Sequence, residues 1–146
     1  NGRVTLPART ARVHGVTLRY EPMPHKNTLG YWVRAEDTAD REFDVTRPGT
    51  FRVEALVGCG NGSGGSVVEF QIGEQILSLT VPETGGFQQF VPQDLGTVQI
   101  PTPGRHRMSV TPRSKPGPAG MDLRQVVLVL EREEGRVKAE GGKMKD

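Results

Sequence analysis

One cysteine, Cys59, is all the chain has, and a single thiol excludes an intrachain disulfide framework. Aromatic residues are scarce as well, five Phe, two Tyr and one Trp, so the position of each one carries weight. No apolar run approaches the roughly 18–20 residues that cross a bilayer as a helix, which excludes a helical membrane span. Charge of one sign is also lacking. Nineteen Lys and Arg against 17 Asp and Glu leave a formal +2, which argues against a dedicated nucleic-acid binder with a strong electrostatic footprint. The histidines, His14, His25 and His106, lie far apart, and neither His-x-x-x-His nor Cys-x-x-Cys occurs, so a transition-metal site has little support. Helical patterning is missing too: no stretch of about 11 residues keeps apolar positions at three- and four-residue spacing without Gly or Pro intervening.

Glycine and proline are in excess. The 19 Gly and 11 Pro make about a fifth of the 146 residues, against roughly 12% in average usage, a composition that many turns between short strands require. That length suits one domain whose core needs no disulfide or metal to hold it. Phe51, Val53, Ala55 and Val57 alternate with Arg52, Glu54 and Leu56, as in a strand with one face inward. Val68, Phe70 and Ile72 alternate likewise, Gly73-Glu74-Gln75 breaks the run, and Leu77, Leu79 and Val81 resume it. This predicts an antiparallel hairpin. Further strands are predicted over 11–20, 31–35, 41–46, 95–100, 105–111 and 121–131, about nine in all at sandwich spacing.

Two corners echo each other. Arg47-Pro48-Gly49 and Thr102-Pro103-Gly104 each place Pro-Gly before an alternating strand, which predicts type II turns at equivalent corners of two sheets. The segment 58–66 holds five glycines but precedes a strand, so it lacks the helix N-terminus that a phosphate-binding loop needs and reads as a connection between sheets. The expected organisation is a lead-in over 1–10, a sandwich over 11–131 and a polar, flexible tail over 132–146. The chain opens Asn1-Gly2-Arg3 without methionine or a signal-peptide pattern, and we read it as a mature or excised segment.

Candidate chemistry is thin. His106 shares an inward register with Met108 and Val110 and reads as a partly buried structural residue. Cys59 has no neighbouring base to make a thiolate and reads as a packing residue. Glu36, Asp37 and Asp40 would suit a glycosidase pair if another carboxylate faced them, and a solvated turn explains them equally well. Phe51 and Phe70 are core by register. Tyr31 and Trp32 are adjacent, so on a strand their rings point to opposite faces. Phe87 and Phe90 follow Thr84-Gly85-Gly86, where they either meet a ligand at the surface or plug the end of the core.

Taken in order, Tyr31-Trp32, the stretches 40–45 and 47–53, Val68 to Gly73, Thr84-Gly85-Gly86-Phe87, Pro103-Gly104-Arg105-His106 and Met121-Asp122-Leu123 form a recognisable series. The series resembles the galactose-binding-like β-sandwich of family 6 and family 35 carbohydrate-binding modules over about residues 11–130. The resemblance implies an all-β antiparallel jelly roll that binds sugar and has no catalysis of its own. In such modules a loop cleft sandwiches a sugar between two aromatics, and those positions match Tyr31 or Trp32 and Phe87. An asparagine usually precedes the last strand, where this chain has Gly120-Met121. No cofactor is required, though the family often carries a structural calcium held by a Glu of the first strand and an Asp of the last. Asp122 matches the latter, and Arg12 stands near the former.

The stretches 24–30 and 113–118 also look like domains appended to sulfatase-like and other glycan-degrading enzymes. That likeness implies a catalytic domain as partner and an extracellular or periplasmic setting. If His25, Lys26, Arg113 and Lys115 converge with Tyr31, Trp32 and Phe87, the cleft suits a sulfated or acidic polysaccharide, because Arg and Lys make charge-assisted bonds to such groups. Two other readings stay open: an accessory domain that binds no sugar, and a small hydrolase working through Glu36 or Asp37.

Overall fold

The structure, a computed structural model, describes residues 2–134 of the chain. Among the described residues, eleven strands form two antiparallel sheets packed face to face, with one short 3-10 turn (Ala8–Thr10). The first sheet runs β3 (Arg19–Glu21), β4 (Thr28–Gly30), β11 (Asp122–Glu133), β6 (Gly49–Cys59) and β9 (Gly86–Ile100), with β1 (Arg3–Pro7) also paired to β11. The second runs β2 (Arg12–His14), β5 (Thr38–Val45), β10 (Gly104–Ser114), β7 (Val67–Ile72) and β8 (Gln75–Thr80). This is the all-β sandwich that the alternating runs predict.

The inward registers supply the core. Phe51, Val53, Ala55 and Val57 of β6 meet Val68, Phe70 and Ile72 of β7 and Met108 and Val110 of β10, all buried. β7 and β8 form the expected hairpin, with Ile72 opposite Gln75 and Gly73 at φ +60° in the loop. The two Pro-Gly corners mark sheet crossings. β5 hands the chain to the first sheet through Gly49, and β9 returns it to the second through Gly104. The two corners lie at the same end, where Gly49 pairs with Ile100 and Gly104 with Val45. The glycine-rich 58–66 segment likewise joins the sheets. His106 is half-buried, its ring 6.1 Å from that of Phe43 and its Nε2 2.9 Å from the Thr102 carbonyl.

Five expectations need correction. The stretch 11–20 is two strands in different sheets, because Asp37 accepts the N–H groups of Val16, Thr17 and Leu18 at 3.1, 2.9 and 2.9 Å and so pulls the chain out of the ladder. The stretch 31–35 is no strand: pairing ends at Gly30, and Tyr31 turns to φ +58°. β9 begins at Gly86, well before Leu95, since an edge strand tolerates Pro92 and needs no apolar alternation on its way. Residues 3–7 are no lead-in but strand β1, and Leu6 and Ala8 enter the core. Arg132 and Glu133, assigned to the tail, end β11, and the rest of that tail from 135 lies outside the described residues.

Candidate functional site

At the end of the sandwich opposite the Pro-Gly corners, Asp122 at the start of β11 pairs with Gly58, and Gly86 at the start of β9 pairs with Cys59. Thr84 fastens this end. Its backbone N–H donates to the Cys59 carbonyl and its hydroxyl accepts from the Cys59 N–H, both at 2.9 Å. Gly85 at φ +98° then turns the chain so that Phe87 lies across Gly58 and Gly60. A Cβ on Gly60 would stand 2.6 Å from Phe87 Cε2, so the missing side chain makes the seat for the ring.

A cleft of about 270 Å³ opens here, lined by Phe87 and Gln88 of β9, Glu21, Lys26, Tyr31 to Val33, Ala119 and Asp122. A smaller cavity, about 30 Å³ between the sheets beside Leu6 and Met108, holds no more than a water or two. Tyr31 is 47% exposed and its ring carries the Arg19 guanidinium at 4.0 Å. A left-handed backbone is costly for so bulky a residue, and here it presents the ring at the cleft rim. Trp32 is buried to 2% exposure with its indole N–H donated to the Asp37 carbonyl at 2.8 Å, so it forms cleft wall from within the core.

The electrostatics are acidic. Asp122 is 5% exposed, and burial together with the nearby Glu21 carboxylate pushes its carboxyl up to about 7, against the opposing pull of Gln88 and Lys26. Glu21 is buried as well, its carboxylate packed on Gly30 and 3.9 Å from Lys26 Nζ. Such a lining offers hydrogen-bond acceptors and one ammonium donor to a hydroxyl-rich guest.

Of the residues proposed from sequence, Lys26, Tyr31, Trp32, Phe87 and Asp122 meet in this cleft. His25, Arg113 and Lys115 do not line it. The His25 side chain faces solvent while its carbonyl accepts from Arg124, Arg113 binds Glu69 at 2.7 Å, and Lys115 donates to the Gly117 carbonyl at 2.7 Å. The expected basic cleft is therefore not assembled. Phe90 is half-buried under the Arg124 guanidinium at 3.9 Å, outside the cleft. Sequence reasoning missed Glu21 and Gln88, which carry no motif and become visible only when β3 and β9 are placed beside Asp122.

The calcium pairing is not assembled either. Arg12 sits in the second sheet on Asp40, whereas Asp122 has Glu21 and a lysine beside it, and no group of three His, Cys, Asp or Glu suited to a metal occurs among the described residues. A calcium ion takes six to eight oxygens, so this donor set does not fit. Nor do Glu36, Asp37 and Asp40 form a glycosidase pair or a solvated turn. Only Glu36 is exposed. Asp37 is spent on backbone N–H groups and Asp40 on Arg12, His14 and Arg107. Cys59 is buried among carbonyls with its thiol pushed up by burial, a packing residue.

No family model matches the sequence, and no curated protein matches it. Solved structures do. The C-terminal family 6 carbohydrate-binding module of a marine laminarinase from Zobellia galactanivorans is 18% identical, with 87% of this chain and 98% of that one covered at a TM-score of 0.69. A carbohydrate-binding module of lichenase 5A from Cellvibrio mixtus, solved in complex with cellotriose, is 19% identical over 88% and 98% of the two chains at 0.67. A family 35 module from Clostridium thermocellum is 10% identical over 90% and 100% at 0.70. The chain has the β-sandwich fold of the family 6 and family 35 carbohydrate-binding modules.

Proposed function

We propose that this chain is a non-catalytic carbohydrate-binding module whose cleft takes an uncharged, hydroxyl-rich sugar and brings an attached enzyme to its polysaccharide. One observation carries the reading: an open cleft sets the rings of Phe87 and Tyr31 beside the polar groups of Glu21, Asp122, Gln88 and Lys26. Aromatic rings pack on the C–H faces of a sugar, and the polar groups are placed to exchange hydrogen bonds with its hydroxyls. The two acids disfavour a sulfate or uronate in this position, because a second negative charge there would be desolvated next to Glu21. Support for an enzyme partner comes from two of the similar modules, which belong to a laminarinase and a lichenase. Tethering of that kind raises the local concentration of substrate.

Affinity electrophoresis against a panel of neutral polysaccharides tests the reading. At least one polymer retards the protein, and Phe87→Ala and Tyr31→Ala each restore most of the free mobility. Unchanged migration on every polymer would sink the proposal and leave the domain as a packing partner for an attached enzyme.

A further inference from the structure

The cleft lining divides into two kinds of surface. Its polar groups form one connected cluster: Gln88 bonds the Asp122 carboxyl, Glu21 lies close enough to Asp122 to act on its charge, and Lys26 Nζ stands 3.9 Å from Glu21. A second stretch is built where the Gly120 N–H donates to the Trp32 carbonyl at 2.8 Å, which ties the segment of Trp32 and Val33 to that of Ala119. Trp32 spends its indole N–H on the Asp37 carbonyl, and the side chains of Val33 and Ala119 hold no polar atom. This stretch therefore gives a sugar hydroxyl no side-chain partner.

Seven large apolar side chains stand exposed among the described residues. Val16, Met23, Ile76, Val91 and Val129 lie on separate loops and strands, as is ordinary for a protein surface. Tyr31 and Val33, 39% exposed, instead share the cleft. The Tyr31 ring serves the C–H face of a sugar, but an isopropyl group beside it calls for an apolar group of the ligand's own. A hydroxyl seated on Val33 and Ala119 would leave water without gaining a bond, which costs affinity. A methyl group there would exchange water for carbon contacts, which gains it.

We propose that the cleft selects a sugar with a methyl group on one edge, either the C6 methyl of a 6-deoxyhexose or the methyl of an acetyl ester. The methyl group rests on Val33 and Ala119, while hydroxyls on the other edge bond Glu21, Asp122 and Gln88. Both sources present the same small apolar group on an otherwise hydroxyl-rich, uncharged ring. The inference rests on the reading of the chain as a binder of uncharged sugars, and it names the substituent that such a sugar carries.

Titration of the full chain followed by NMR compares probes that differ at one kind of group. The pairs are D-fucose with D-galactose, L-rhamnose with L-mannose, and acetylated glucomannan oligosaccharides with the same oligosaccharides after alkaline deacetylation. At least one methyl-bearing probe binds about tenfold tighter than its partner, the low end of what one small apolar group is worth in a pocket, as suits a wall partly open to water. Which pair shows the gain distinguishes a C6 methyl from an ester methyl. In the unaltered protein the methyl protons of that probe give nuclear Overhauser contacts to the methyl groups of Val33 and Ala119, a readout that no folding defect can confuse. Val33→Ser brings the ratio within the pair toward one, whereas Phe87→Ala weakens both members alike. Equal affinity within every pair, or methyl contacts to other residues only, overturns the inference while the cleft reading stands. Failure of every methyl-bearing probe to bind, with a neutral polysaccharide still retarding the protein, does the same. Absence of all binding, by probes and polymers alike, overturns both.

Discussion

A carboxylate taken out of water loses hydration worth several kcal/mol unless something replaces it, and Asp37, Asp40 and Asp122 are compensated to different degrees. Burial would raise the Asp37 carboxyl, but the N–H groups of Leu18, Thr17 and Val16 and the Thr17 hydroxyl outweigh it and hold it at about 2. Burial acts on Asp40 in the same way, and the bonds from Arg107, Arg12 and His14 bring it to about 2. At Asp122 burial wins, helped by Glu21, and the carboxyl rises to about 7. The signs therefore oppose. The depressed pair contributes stability that is full above the unfolded carboxyl value near 4, on the order of 2 kcal/mol each, and that is lost as pH falls toward about 2. The raised group contributes stability that is present below about 4 and is lost as pH rises through about 7. The melting temperature is expected to peak at about pH 4–5. Scanning calorimetry across pH checks this, and Asp122→Asn should raise the melting temperature near pH 8 while changing little near pH 4, by the same linkage. Asp37→Asn leaves backbone donors facing an amide nitrogen and should cost about 2–3 kcal/mol, measured by urea titration.

The strand ends around Phe87 show how one element positions another. Gly58 and Gly60 both lie against Phe87, but on different atoms: a Cβ at Gly58 would strike its carbonyl oxygen, and one at Gly60 would reach its ring. The carbonyl belongs to the β6–β9 ladder at the register shift between Val57 and Cys59 and has nowhere to go. The ring lies half-buried at the cleft and can swing outward. Gly58→Ala should therefore destabilise the fold by about 1–3 kcal/mol. Gly60→Ala should keep most of the stability and lose sugar affinity, a contrast read by pairing thermal melts with affinity electrophoresis. Equal losses of stability in the two variants would count against the ring-seat account. The same elements mark where sequence reading succeeds. Strands β6, β7 and β10 alternate because both neighbours and both faces constrain them, and Thr84-Gly85-Gly86 points to a presented aromatic. The early half of β9 hides because an edge strand is free of alternation, and the break at Gly15 hides because its cause, Asp37, lies more than twenty residues away. Glu21 hides for a related reason. Its role depends on the hairpin that brings β3 beside β4 and on Asp122 across the cleft, and neither is written in its neighbours.

Across the whole molecule, the first sheet is completed by its first strand. β4 pairs with β11 only at Leu123, so the flank of β11 from Gln125 to Val129 is covered by β1 alone, with Arg3 opposite Val129 and Pro7 opposite Gln125. Leu6, 4% exposed, closes the small cavity lined by Leu29, Met108, Val110 and Val126. Removal of residues 1–8 would bare five residues of a central strand and open that cavity to water. Burial of one leucine side chain is worth about 1.5–3 kcal/mol, and a domain of this size loses roughly 2–4 °C of melting temperature per kcal/mol. Together with the lost ladder, a fall of about 10 °C is expected by differential scanning fluorimetry. The bared edge of β11 is also a template for pairing with a second chain, so the truncated protein should show concentration-dependent association by light scattering. The cleft takes none of its lining from β1. Sugar affinity measured well below the lowered melting point should then match that of the intact chain. A truncation that abolished binding while the protein remained folded would mean that the two ends of the sandwich are coupled through β11, the one strand that reaches from the N-terminal patch to Asp122.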